Sequence, residues 1–152
     1  MKAVFSRVLI VCLLCTLVMG CDDVSKEPRA ERNSVLIDAA GGTESVGITS
    51  GLPYPWTFEY LSLSEYKNDE DGRFLSETPI PKDKITIEKP DKSKTIIHYD
   101  WITFEIPEGG RKVIITADEN RTNESRSVTF SGHGNIDGFS IKVTQSCKKE
   151  AH

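Results

Sequence analysis

The apolar residues of this chain recur at every second position, and nowhere do they hold a 3.6-residue period for three turns. Ile102, Phe104 and Ile106 alternate with Thr103 and Glu105, and Trp56, Phe58 and Tyr60 alternate with Thr57 and Glu59. A period of two sends successive side chains to opposite faces of a pleated strand, so each segment needs a core on one face only. Residues 35–37, 43–49, 85–87, 95–99, 113–115, 128–130 and 139–143 are further short runs rich in β-branched residues, which pack well on a pleated surface. Gly41-Gly42, Gly51, Pro107 and Gly109-Gly110 punctuate them. Short strands about ten residues apart with Gly and Pro turns predict an all-β fold, a β-sandwich of about seven to nine strands. Trp101, Phe104, Ile114, Val128, Phe130, Ile141 and Val143 are expected to face inward, with Trp56 against them.

A different pattern precedes the strands. Lys2 and Arg7 lie before an unbroken apolar run over residues 8–18, and Gly20-Cys21 follows closely. A basic stretch, a short apolar core and a small residue at the cleavage point read as a secretory signal. A membrane span needs ~20 apolar residues to cross ~30 Å of hydrocarbon, and this run is about half that. Cleavage after Gly20 makes Cys21 the new N-terminus. A small residue before the cut and Cys after it resemble the bacterial lipobox, which implies lipidation of Cys21. Val18 and Met19 stand where that pattern has Leu and a small residue.

Residues 1–20 are therefore expected to be a lipoprotein signal, 21–33 the lipidated cysteine with a flexible acidic tether, 34–147 the sandwich, and 148–152 a tail. The tether, residues 22–33, is polar and carries Pro28, and such a composition buries too little to offset its ordering entropy. Cleavage takes Lys2 and Arg7 and lowers the basic residues from 19 to 17 against 23 acidic ones, a net charge of −6. That balance excludes the clustered basic face that nucleic acid requires. Cys12 and Cys15 leave with the signal, and with Cys21 lipidated Cys147 has no partner for a disulfide. An ordinary apolar core must hold the domain, and Cys147, just past the last strand, reads as an inert terminal thiol.

The C-terminal third carries an ordered set of landmarks. Trp101-Ile102-Thr103-Phe104 leads to Gly109-Gly110 and then to Val113-Ile114-Ile115-Thr116-Ala117. Asn120, Arg126-Ser127-Val128-Thr129-Phe130 and Ile141-Lys142-Val143-Thr144-Gln145 follow. This order resembles the BACON domain, an immunoglobulin-like module of Bacteroidetes often found in carbohydrate-active proteins. The resemblance covers residues 35–145 and implies an immunoglobulin-like antiparallel β-sandwich. Residues 66–94 are longer than that pattern expects; with Pro79, Pro81 and Pro90 and the acidic run at 68–72, they read as an inserted hairpin or loop lobe. Asp22 and Asp23 look like the acid-rich export signal of Bacteroidetes lipoproteins, which implies a surface-exposed place on the outer membrane. The same two acids also fit a solvated linker.

Carbohydrate recognition needs aromatic faces for stacking and polar groups beside them. Tyr54, Tyr66, Phe74 and Tyr99 are the candidate aromatics, with Asn68 and Asp69 as polar companions. Tyr54 lies between Pro53 and Pro55, which stiffen it. Trp56 and Trp101 each open an alternating strand and read as core. No metal and no cofactor is expected: an EF-type loop through Asp69, Asp71 and Gly72 would put Lys67 and Thr78 at its end positions, where oxygen ligands belong. Only His98, His133 and His152 could serve a histidine mechanism, and no nucleophile or phosphate motif is present. The expected function is thus a non-catalytic, lipid-anchored surface module contacting carbohydrate or mucin-type glycan, as the resemblance implies. The rival expectation is a spacer or assembly subunit of a surface protein complex with no small ligand.

Overall fold

The computed structural model describes residues 27–49, 56–69, 72–91 and 93–148, apart from the side chains of 66–69 and 72–75. The signal, Cys21 and Tyr54 lie outside the described residues.

Eleven strands among the described residues form two sheets. One has the order β1 (Arg29–Ala30), β3 (Gly42–Thr49), β9 (Lys112–Ala117), β8 (Ile102–Pro107), β7 (Lys94–Tyr99) and β6 (Thr86–Asp91). The other has the order β2 (Ser34–Ile37), β11 (Gly138–Gln145), β10 (Arg126–His133), β4 (Thr57–Asp69) and β5 (Gly72–Pro79). The fold is an all-β sandwich, with more strands than the seven to nine expected. It is also not wholly antiparallel, because β2 runs parallel to β11, with Val35 opposite Val143.

The alternation fixes the core. Val46, Ile97, Phe104, Val113 and Ile115 of the first sheet meet Val35, Leu61, Val128, Phe130, Ile141 and Val143 of the second in one apolar cluster. The rings of Phe104 and Phe130 meet across the two sheets, centroids 5.0 Å apart. Full burial of each such side chain is worth ~1.5–3 kcal/mol. Trp56 stands edge-on to Phe139 at 4.9 Å and to Phe130 at 6.2 Å. Gly132 makes room for that cluster, since a Cβ there would lie 2.6 Å from the Phe139 ring. Gly41, at φ +81° in the turn before β3, is a second position where only glycine fits; a Cβ would lie 2.5 Å from the Ala117 carbonyl oxygen.

One inward assignment and one alternation change. Val113, Ile115 and Ala117 are buried and Ile114 is only partly so, because the polar Lys112 and Thr116 fix the outward parity of β9 and Ile114 shares it. In β4 a bulge breaks the alternation. Ser131 pairs with Tyr60 but the next residue, Gly132, pairs with Phe58, leaving Glu59 without a partner. An extra residue reverses the parity beyond it. Phe58 packs on the core, Leu61 and Ser62 are fully buried, and Tyr60 is shifted out of the core.

Two segments differ from their expected roles. The second half of the expected tether belongs to the sandwich. Arg29 and Ala30 pair with Thr49 and Ile48, the Glu31 amide donates to the Gly47 carbonyl at 2.9 Å, and Arg32 pairs with Glu44 at 2.7 Å. Backbone hydrogen bonds order this polar stretch, and composition carries no sign of them. The described residues of 66–94 include the last four of β4, then β5, a 3-10 turn at Lys82–Lys84, and β6, and β5 and β6 are edge strands of the two sheets. Ile80 pins the crossing between sheets: it is buried in the core, and its amide donates to the Leu61 carbonyl at 2.8 Å.

Candidate functional site

The strand register gives the sandwich two unlike ends. His133 pairs with Thr57 at the start of β4, while Thr129 pairs with Ser62. Beyond Ser62, β4 continues for seven residues to Asp69 with β5 as its only partner, so the two strands leave the sheet as a ribbon. A strand of 13 residues spans roughly 40 Å. The ribbon tip and the β10–β11 turn are therefore at opposite ends of the molecule.

Four of the six expected contact residues gather on this ribbon. Tyr66 lies opposite Leu75, Asn68 opposite Arg73, Phe74 opposite Lys67, and Asp69 opposite Gly72. Opposed residues in a ladder share a face and successive ones alternate. The register thus assigns Tyr66 and Asn68 to one face, and Phe74 and Asp69 to the other. Tyr99 is not brought to them. It lies in β7 of the other sheet, half-buried and packed on the core. Loss of water and then the neighbouring Asp100 carboxylate raise its phenol above the ordinary value. The described residues of the segment considered as a calcium loop lie in two paired strands, and among the described residues no three His, Cys, Asp or Glu side chains converge as metal ligands.

The landmarks of the C-terminal third close the sandwich at the ribbon's end. Gln145 is fully buried; its amide donates to the carbonyls of Asp118 at 2.7 Å and Asp38 at 3.1 Å, and its Oε1 accepts from Arg126 Nε at 2.8 Å. The Arg126 guanidinium covers the Trp101 ring at 4.4 Å and donates to the carbonyls of Asp118 and Glu119. Asn120, also fully buried, donates to the carbonyls of Glu124 and Ser146, while its Oδ1 accepts from the Thr122 amide and hydroxyl. Each of these groups satisfies backbone atoms of loops that have no ladder partner. Their chemistry is structural: they tie the turns after β2 and β9 to the end of β11.

The other end holds a contact that sequence reasoning missed. One oxygen of the Glu27 carboxylate accepts three consecutive backbone amides of the β10–β11 turn, from Asn135, Ile136 and Asp137, at 3.2, 3.3 and 3.3 Å. The Gly134 amide closes the turn by donating to the Asp137 carbonyl at 2.8 Å. Successive amides curled around one anion form a nest, a concavity of aligned partial positive charge. Glu27 and the turn lie more than a hundred positions apart, so no local signal joins them.

No protein-family model matches the chain, and no curated protein matches it either. A solved structure similar to it is the NMR structure of a protein from Bacteroides thetaiotaomicron. The identity is 16%, the match covers 83% of this chain and 86% of that one, and the TM-score is 0.45.

Proposed function

We propose that the chain is a lipid-anchored, non-catalytic module of the bacterial outer surface, and that it contacts glycan through the β4–β5 ribbon. One observation carries this reading. The ribbon extends past the sheet at the end opposite the chain's entry and gathers Tyr66, Asn68, Asp69 and Phe74 in one place. An aromatic on each face of a two-stranded ribbon, with amide and carboxylate neighbours, suits a chain-like ligand laid along it. The lipobox-like Gly20-Cys21 and the order of landmarks shared with the BACON domain support the placement and the ligand class.

The rival reading, an assembly subunit, draws on a different observation. Tyr66 and Phe74 take opposite faces and Tyr99 packs on the core of the other sheet, so the aromatics do not make one flat platform. An outer strand such as β5 can instead take another protein by strand addition.

A glycan array with the soluble Cys21→Ser chain separates the two. The expected result is binding that disappears when residues 66–75 are replaced by a two-residue Asn-Gly turn. Silence across a broad panel, with the ribbon-dependent capture of a surface protein, would establish the assembly role.

A further inference from the structure

The stretch from Glu27 to Arg32 makes contacts with both sheets within six residues. Glu27 is held by the three amides of the β10–β11 turn, which belongs to the second sheet. Two residues later β1 pairs with the last residues of β3 in the first sheet, and the Thr49 hydroxyl donates to the Arg29 carbonyl. Pro28 fills the space over Gly134, where a Cβ would lie 2.5 Å from its ring. The end of β3, the turn before β9 and the β10–β11 turn are all at one end, because Ile48 bonds to Arg111 and Trp56 donates to the Gly110 carbonyl beside Gly132. The chain therefore enters the sandwich under a clasp, at the end opposite the ribbon.

We infer that this clasp sets the attitude of the domain on a phospholipid surface: the β10–β11 turn faces the bilayer and the ribbon points away from it. The inference rests on the reading that Cys21 carries lipid. Six residue steps separate Cys21 from Glu27, a reach of about 20 Å at full extension. The tether therefore keeps the clasped end near the headgroups, and with the domain upright the length of β4, roughly 40 Å, carries the ribbon tip away from them. Ile136 at the apex of the turn is 76% exposed, the most exposed large apolar side chain among the described residues. It offers the interface an apolar contact. The same geometry presents the ribbon to whatever lies outside the cell surface.

Lipid-depth quenching tests this on the full lipidated protein. Single cysteines for a fluorophore go at exposed Asn135 (N135C) and at ribbon position Arg73 (R73C), both in a Cys147→Ser background. The protein is placed in phosphatidylethanolamine–phosphatidylglycerol vesicles whose headgroups carry a spin label. Strong quenching at 135 and none at 73 beyond that of the protein free in solution is the expected result. Equal quenching, or the reverse order, overturns the inference. The variant Glu27→Ala with Glu31→Pro removes the nest ligand and one amide of the β1 pairing. Its melting temperature reports that the sandwich persists, and the difference between the two labels should shrink. An unchanged difference would show that the clasp does not set the attitude. A chain that fails to join the vesicles at all refutes the lipid anchor itself, a result distinct from equal quenching of a bound chain.

Discussion

Gln145 shows how much one polar side chain can settle. Its three hydrogen bonds reach two loops and Arg126, and Gln145 itself is fully buried. Leucine has similar bulk but removes all three hydrogen bonds, each worth about 0.5–1.5 kcal/mol. Gln145→Leu should therefore lower the melting temperature by more than an exposed substitution such as Lys142→Leu, and scanning calorimetry of the pair measures it. Tyr99 supplies a pH test. Burial first, and Asp100 second, raise its phenol above the reference value of 10.0. The folded state thus favours the protonated form. Its contribution is complete below the unfolded pKa and is lost as pH rises through the folded one. Stability should fall above about pH 10, and Tyr99→Phe should make that alkaline decline shallower in a series of thermal melts. A decline of equal steepness would mean that the phenol does not matter.

At the scale of elements, the β4–β5 ribbon and the Ile80 crossing separate two roles within residues 66–94. Replacing residues 66–75 by Asn-Gly keeps Glu65 opposite Ser76 and closes the hairpin with a two-residue turn. The part removed lies past the sheet, and loop length costs only ~0.6 kcal/mol per doubling. The change in stability should stay within about 1 kcal/mol by urea denaturation, while partner binding is lost. Ile80→Ala should behave oppositely. It hollows a buried site at a cost of ~2–5 kcal/mol and leaves the ribbon in place. A cut that ran from 68 to 81 would remove β5 and Ile80 together and confuse the two effects. A large loss of stability on trimming 66–75 alone would show that the ribbon is part of the core structure.

For the whole molecule, the proposed attachment at Cys21 would decide where all of this geometry acts. Several acyl chains are needed for stable residence in a membrane, each buried methylene adding ~0.8 kcal/mol. Cys21→Ser should move the protein from the membrane to the soluble fraction, read by fractionation and immunoblotting. If the variant stays with membranes after a salt wash, the anchor is something other than lipid at this cysteine. With the anchor in place, the entry clasp and the ribbon define near and far ends, and the two candidate roles differ only in what the far end meets.

Local pattern carried the strands and most of the core. Phe104, Val128, Phe130, Ile141 and Val143 are all fully buried, because alternation in a one-sided strand is a local property that needs no partner to be read. Ile114 and Tyr60 escaped it for different reasons: one lies in a run of three apolar residues whose parity its polar flanks fix, the other beyond a bulge seen only against β10. The landmarks around Asn120, Arg126 and Gln145 were legible as a pattern, but their task of binding loop carbonyls was not. Of the candidate site, residues 66 to 74 were singled out by composition, and the register alone divided them between two faces and removed Tyr99 from their company. The Glu27 nest, the parallel pairing of β2 with β11 and the opposition of clasp and ribbon exist only in three dimensions. They join residues distant in sequence, and at least one partner in each contact is backbone, which nearly every residue type carries, so the local sequence does not announce them.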